Sequence, residues 1–447
     1  MPPAATAARH EGDRDMKKRM KILLILCLVL GVALLGINLY TQGSAGRIAE
    51  LQAKIAERKQ LIAQAEMARV LGREAVDVGE LPEVEISSAD RVVMALASFS
   101  GAFLVLGIDL LIGALALIAF HLFKRRRGER KVRKVSSANN IVGILIALIV
   151  LCLDLSIASK VFLTQSNFLN VLQQISINFV IAIGMTFVII SGGIDLSVGS
   201  NIALTGLLMA IMMKNWGVGV TWTIVLSLLF SAAIGLINGS LIAFLNLPPF
   251  IATLGMMSIA RGAAYTVTGG APIYTMPAGF TGISGRVANV PLYAILIMIA
   301  VFALGWYCLR YTKVGRFTYA IGGNESCAKL SGINLSKVKC FVYVVSGLCC
   351  GVAAILLTSR LDSALPTNAD GQEMDAIAAV VIGGTSMKGG EGSIIGTLIG
   401  ILIIGVISNG LNLLGVAQGP QKMVKGLIIV VAVIIDVLRR RAAEQSK

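Results

Sequence analysis

Charge is scarce in this chain of 447 residues: 14% of them are Asp, Glu, Lys or Arg, while 56% are hydrophobic. A soluble protein of this length has no core large enough to hide that much apolar surface. Histidine is scarcer still, with only His10 and His121, which argues against a histidine-based metal site. Cys27, Cys152, Cys308, Cys327, Cys340, Cys349 and Cys350 form no CxxC or Cys/His pattern, and most lie in apolar runs. They read as small core residues, not as metal ligands or a disulfide framework. There is no GxxxxGK[ST] phosphate loop: "GGTSMKGG" (383–390) has neither its spacing nor its Lys–Ser/Thr pair. No Ser/His/Asp or Glu-rich catalytic constellation occurs. The expectation is a protein that is not an enzyme and binds no metal or cofactor of its own.

Long uncharged runs fill the space these absences leave. Several exceed the roughly 18–20 residues that one bilayer-spanning helix needs, and they lack the short-strand alternation of a membrane β-barrel. The fold class expected is therefore an all-α polytopic membrane protein. The formal charge of +15 fits the excess of Lys and Arg in cytoplasmic loops better than it fits nucleic acid. "KRRRGERKVRK" (124–134) is its densest cluster, and "RRR" (439–441) closes the last run.

Along the chain, two regions differ in character. Residues 1–135 read as an extension with two spans. "MKKRMK" leads into "ILLILCLVLGVALLGINLY", an uncleaved span with its N-terminus inside, the alternative being a cleaved signal peptide. An extracytoplasmic segment (41–90) follows. It is helix-forming at first, with Ile48, Leu51, Ile55 and Ile62 near heptad spacing, and then acidic. A second span returns to the basic cluster. Residues 136–447 form the core, with about ten transmembrane or re-entrant segments of apolar character. They are placed at 141–159, 171–190, 197–213, 220–244, 250–267, 291–309, 340–360, 374–386, 393–413 and 422–438. The even number puts the C-terminus on the basic, cytoplasmic side, together with the Lys- and Arg-bearing loop 310–339.

Two apolar stretches are interrupted by glycine and serine: "SGGIDLSVGS" (191–200) and "GGTSMKGGEGS" (383–393). Non-helical backbone survives at membrane depth only when buried in protein or facing a polar cavity. Each interruption is thus either a break inside a helix or an ordinary external turn. Paired interruptions are compatible with an inverted repeat, as is the faint echo of "LINGSLIAFLN" (236–246) in "VISNGLNLLGV" (406–416). Asp195, beside Ser197, is placed to cap a half-helix beginning near Leu196. The ionisable residues nearest to the spans are Asp154, Asp195, Arg261 and Asp375. A proton- or sodium-coupled carrier would want more of them. Their scarcity points to a neutral substrate and an energy source outside this chain.

The core resembles the permeases of sugar ABC importers of the ribose, galactose and xylose class, and is nearest in text to the ribose permeases. The matching segments include "NFLNVLQQISINFVIAIGMTFVIISGGIDLSVGS", "PFIATLGMMSIARG", "YAIGGNESCAKLSGINLSKVK" and "MDAIAAVVIGGTSMKGGEGSIIGTLIG". The resemblance implies a bacterial inner-membrane subunit that imports a monosaccharide. Its implied partners are a cytosolic ATPase that uses ATP and magnesium, an extracytoplasmic sugar-binding protein, a second permease copy and membrane lipid. It also implies that loop 320–337 carries the short helix that couples to the ATPase. Within that loop Asn324 suits an N-cap, Glu325 the first turn, Ala328 a small position and Gly332 the helix end. The translocation path then has as candidates Gly192, Gly193, Asp195, Ser197 and Gly199 in the first interruption. Asp375, Gly383, Gly384, Thr385 and Ser386 are the candidates in the second. Asp195 and Asp375 have a structural alternative, which is to pin helix ends. The alternative function is a self-sufficient secondary sugar carrier. A membrane scaffold or sensor is suggested only by the extracytoplasmic segment. Residues 1–135 have no counterpart in the pattern that carries the resemblance.

Overall fold

A computed structural model describes residues 36–37, 39–70, 87, 90, 93, 137–287 and 289–444. The two N-terminal spans and the basic cluster lie almost wholly outside these residues. The chain divides into two compact units, one of residues 1–133 with 411–421, the other of residues 134–410 with 422–447.

In the first unit the expected extracytoplasmic helix is α1 (Ala45–Val70). Its Ala, Glu, Gln, Lys and Arg residues lose little side-chain freedom in a helix. A Lys54–Glu50 ion pair of 2.8 Å links successive turns. Arg47 pairs with Asp90 at 3.0 Å.

The second unit begins with α2 (Ser137–Ala158), α3 (Gln165–Ile190), α4 (Val198–Lys214), α5 (Val220–Phe244) and α6 (Pro249–Thr268). There follow strand β1 (Ile273–Tyr274), a one-turn α7 (Ala278–Thr281), α8 (Leu292–Tyr311), α9 (Lys313–Gly323) and α10 (Glu325–Leu330). The chain continues through α11 (Leu335–Leu361), strand β2 (Ser363–Ala364), α12 (Gln372–Ile382), α13 (Ile394–Leu413) and α14 (Gln418–Glu444). The two strands pair antiparallel, Ile273 with Ala364 and Tyr274 with Ser363. Every one of the ten expected core segments is a helix. Among the described residues six helices are long and apolar enough to cross a membrane: α3, α5, α6, α8, α11 and α13. The fold is that of an all-α polytopic membrane protein.

Helix α3 is the centre of the unit: 94% of its most apolar window is buried, against 17% for α8. Its whole second half, from Ile175 to Ile190, is buried. Helix α13 runs antiparallel to it. Asn167 and Asn409 exchange two amide hydrogen bonds of 3.0 and 2.8 Å at one end, and the Thr186 and Thr397 hydroxyls meet at 2.7 Å further along. In an apolar interior such polar pairs fix register, because a one-turn slip leaves both partners unsatisfied.

A second antiparallel pair, α5 with α11, is set by small residues. Ser231, Gly235 and Gly239 recur every fourth position on α5 and face α11: Ser231 lies against Gly347 and Gly351, Gly235 against Tyr343 and Gly347, and Gly239 against Cys340 and Tyr343. A Cβ on Gly235 would collide with the Tyr343 carbonyl and reach 3.2 Å from the Gly347 Cα. Close backbone approach of this kind is how helices gain packing energy where lipid supplies no hydrophobic drive. Ser231 uses the proximity to donate a 2.6 Å hydrogen bond to the Gly347 carbonyl.

Candidate functional site: a buried helix break beside a surface helix

Between α3 and α4 the backbone leaves the helix at residues 191–197. Most of this break is buried in protein, Gly192 alone being exposed. Asp195 is 2% exposed and Ser197 1% exposed, so the interruption is no external turn. The Asp195 carboxylate is held by three neutral donors. Its Oδ1 accepts from the Ser197 backbone N–H at 3.0 Å and from Ser197 Oγ at 2.6 Å. Its Oδ2 accepts from Ser346 Oγ on α11 at 2.8 Å. Asn238 on α5 donates to Ser197 Oγ at 2.9 Å. Asp195 thus binds the amide just ahead of α4, as the sequence suggests, though Ser197 itself makes no side-chain cap. Ile194, the residue before it, has a carbonyl that accepts from Tyr343 Oη at 3.3 Å and lies 3.2 Å from Thr253 Oγ1 on α6, whose one proton has a nearer acceptor in the Pro249 carbonyl at 2.9 Å. The break is tied to α5, α6 and α11 at once.

A related shape lies between α11 and α12. There too a long helix ends, non-helical chain follows (residues 362–371) and a shorter helix begins. The starts of the two short helices touch. A Cβ on Gly199, in the first turn of α4, would strike both the Glu373 carboxylate and the Ala369 carbonyl at the start of α12. Arg261 on α6 braces this second stretch by donating to the carbonyls of Pro366 and Asn368. Residues 362–371 lie in the gap between the spans expected at 340–360 and 374–386, and Pro366, Asn368, Asp370 and Gly371 mark it as non-helical, though not as a partner of the first break.

The glycine-rich segment 383–393 touches the first break through other residues than those singled out. The Gly390 N–H donates to the Ile190 carbonyl at 2.9 Å, and Gly389 and Gly390 rest on Gly322 and Gly323 at the end of α9. Gly383 instead packs α12 onto α13 at Gly396 and Thr397, and Gly384 turns with φ +87°. Thr385 and Ser386 are buried, the Thr385 hydroxyl without a partner. Asp375 is 7% exposed and forms a 2.7 Å ion pair with Lys425 on α14. Asp154 on α2 is half-buried, with one carboxylate oxygen unpaired. Gly192 and Gly193 remain as the path candidates that border open space. With Ser191 they line a cavity of about 300 Å³, closed by Tyr343, the α5–α6 link at Asn246–Pro249, Glu325 and Lys339.

On the rim of this cavity sits α10. The Asn324 side chain accepts from the Cys327 N–H at 2.9 Å, capping the helix, and Gly332 ends it in the left-handed region at φ +76°. Glu325 points back into its own chain and pairs with Lys339 at 2.7 Å, while its side chain stays 52% exposed. Ala328 is buried at 4% exposure, so this small residue seats the helix on the bundle and presents nothing outward. The outward apolar group is Leu330, 89% exposed. Its place in a polar loop, "ESCAKLSG", is the signal the sequence offered and residue-type reasoning passed over.

Long apolar helices, a buried helix break and a capped surface helix at its mouth define a polytopic membrane permease. The match to known proteins gives the particular family. Residues 167–433 match the family described as branched-chain amino acid transport system / permease component, and the chain belongs to it. The ribose import permease protein of Escherichia coli (strain K12) is 47% identical over 301 residues, 65% of this chain and 92% of that protein. That of Bacillus subtilis (strain 168) is 47% identical over 305 residues, 68% and 94%. The fructose import permease protein of Rhizobium meliloti is 37% identical over 281 residues, 61% and 78%. No solved structure matches the chain. Helix α1 lies outside the family match.

Proposed function

We propose that this chain is the membrane-spanning permease subunit of an ATP-driven importer of a monosaccharide, with ribose as the first candidate. The observation that carries the reading is the 47% identity to ribose import permeases across nearly their whole length. Although the family description names branched-chain amino acids, the relatives at 47% identity are named for ribose import. A neutral, hydroxyl-rich substrate also fits a core whose buried polar groups are mostly serine, threonine and asparagine.

In this reading a separate cytosolic ATPase binds ATP and magnesium, an extracytoplasmic binding protein delivers the sugar, and a second permease copy completes the path. The α9–α11 region and the C-terminus face the cytoplasm. Helix α10 docks on the ATPase through its exposed face, which holds Glu325, Lys329 and Leu330. Alternating access requires only weak contacts along the path, because the binding protein supplies affinity; Gly192 and Gly193 border that path at the cavity.

The test is uptake of labelled ribose and galactose into vesicles containing this chain, with and without the ATPase and binding protein. Uptake that needs both partners and ATP is expected. ATP-independent uptake by the chain alone would overturn the reading in favour of a secondary carrier. Glu325→Arg, which reverses charge on the docking helix and breaks its bond to Lys339, should separate ATP hydrolysis from uptake.

A further inference from the structure

Helix α10, through Glu325, and the break, through Ser191–Gly193, line the same cavity of about 300 Å³. Helix α11 makes contact with both. Lys339, in its first turns, pairs with Glu325 of α10 at 2.7 Å. One turn further, Tyr343, buried at 1% exposure, places its hydroxyl on the Ile194 carbonyl. One turn beyond that, Ser346 holds Asp195. Spacings of four and three put these residues in one stripe along the helix, spanning about 10 Å.

We infer that α11 is the transmission element between α10 and the helix break, with Tyr343 as the residue that positions the break. This rests on the proposed docking of α10 to an ATPase. A regular, largely buried helix moves as a rigid piece, so a displacement of α10 that pulls Lys339 carries Tyr343 and Ser346 with it. The Ile194 carbonyl accepts from Tyr343 and lies 3.2 Å from the Thr253 hydroxyl of α6, whose nearer acceptor is the Pro249 carbonyl at 2.9 Å; a shift of α11 that withdraws Tyr343 leaves Thr253 as the donor within reach. The absence of a side chain at Gly193 is what admits the tyrosine, since a Cβ there would lie 2.6 Å from Tyr343 Oη. The cavity leaves room for the movement.

Two measurements test this. In the assembled transporter with ATPase and binding protein, the readout is sugar imported per ATP hydrolysed, a ratio that reduced folding alone does not move. Tyr343→Phe should lower it about fivefold, the effect of one modest buried bond, and Lys339→Met, which breaks a partly exposed ion pair, about twofold. The double variant should fall no further than the larger single effect, as expected for coupled residues. A Tyr343→Phe ratio equal to that of the unmodified protein, or single effects that multiply, would overturn the inference and leave as the route the end of α9, where a Cβ on Gly322 would strike the Ile190 carbonyl. In the permease alone, Lys339→Met should speed hydrogen exchange of amides in residues 194–198, and unchanged exchange would sink the link. Because the exchange readout needs no partner, a response there without ATP-dependent uptake would reject the proposed function while supporting the mechanical link.

Discussion

Ser346 and Asp195, 151 residues apart in the chain, share a 2.8 Å hydrogen bond in the interior of the bundle. The bond joins the middle of a long helix to the non-helical stretch between two others. It also removes one oxygen's need for water from a carboxylate that meets no cationic partner among its hydrogen bonds. Ser346→Ala leaves that oxygen unsatisfied. The expected loss is about 1.5–3 kcal/mol, as for a bond to a charged group. Thermal unfolding of the detergent-solubilised permease should show it as a lower midpoint, and an unchanged midpoint would mean that the carboxylate finds another donor.

Glycines of this chain should divide into two kinds on substitution. Gly235→Ala drives a methyl group into the Tyr343 carbonyl across the α5–α11 contact, where backbone must move. Overpacking of this sort destabilises by about 1–3 kcal/mol. Gly262, on an exposed part of α6, has nothing within 4 Å of its would-be Cβ. Gly262→Ala should stabilise by about 0.5–1 kcal/mol through reduced backbone freedom in the unfolded chain. Parallel melts of the two variants check the sign of each effect.

The exposed side chain of Leu330 separates docking from folding. It is 89% exposed in the isolated chain, so replacing it removes little internal packing. Burial of a leucine in a partner's cleft is worth about 1.5–3 kcal/mol. Leu330→Ser should therefore weaken binding of the ATPase about tenfold or more, with the permease's own unfolding midpoint unmoved. Immobilised permease titrated with the ATPase measures the first effect and a melt the second.

How much of this was legible in the sequence depended on the range of the interaction. Helix α5 occupies the span expected at 220–244, because hydropathy along one helix is local information. Helix α11 starts at Leu335 instead of residue 340, since Asn334 caps it by accepting from the Lys337 N–H at 3.0 Å. That adds a polar first turn, which hydropathy does not register. Helix α3 is longer than expected for the same reason, beginning at Gln165 behind a Thr164 cap. Helix α12 stops at Ile382 instead of 386, where the chain turns through Gly384. The break at Asp195 was visible because glycines and an aspartate cluster there. Its anchors were not: Tyr343, Ser346 and Asn238 are single polar residues in apolar helices, and nothing local says which partner each will meet. Residues 362–371 fell in the gap left between the spans expected at 340–360 and 374–386, but their contact with the first break was not legible, because their conformation is held from outside, in part by Arg261.

Asp375 offers the sharpest test of whether a candidate path residue serves the fold instead. Its carboxylate is buried and its Oδ2 lies 2.7 Å from Lys425 Nζ. A buried ion pair contributes little net stability against an apolar replacement, but removing one member strands the other charge. Lys425 keeps 24% of its side chain exposed, so Lys425→Met should cost less than the full penalty of a buried pair, about 2 kcal/mol. Asp375→Asn in the same chain should recover most of that loss, because the stranded charge goes with it. A structural pair predicts that the double variant, once refolded to near-native stability, also recovers uptake. If Asp375 instead contacts the sugar, the double variant should melt like the unmodified protein yet transport poorly. A double-mutant cycle read in both unfolding midpoint and uptake distinguishes the two roles.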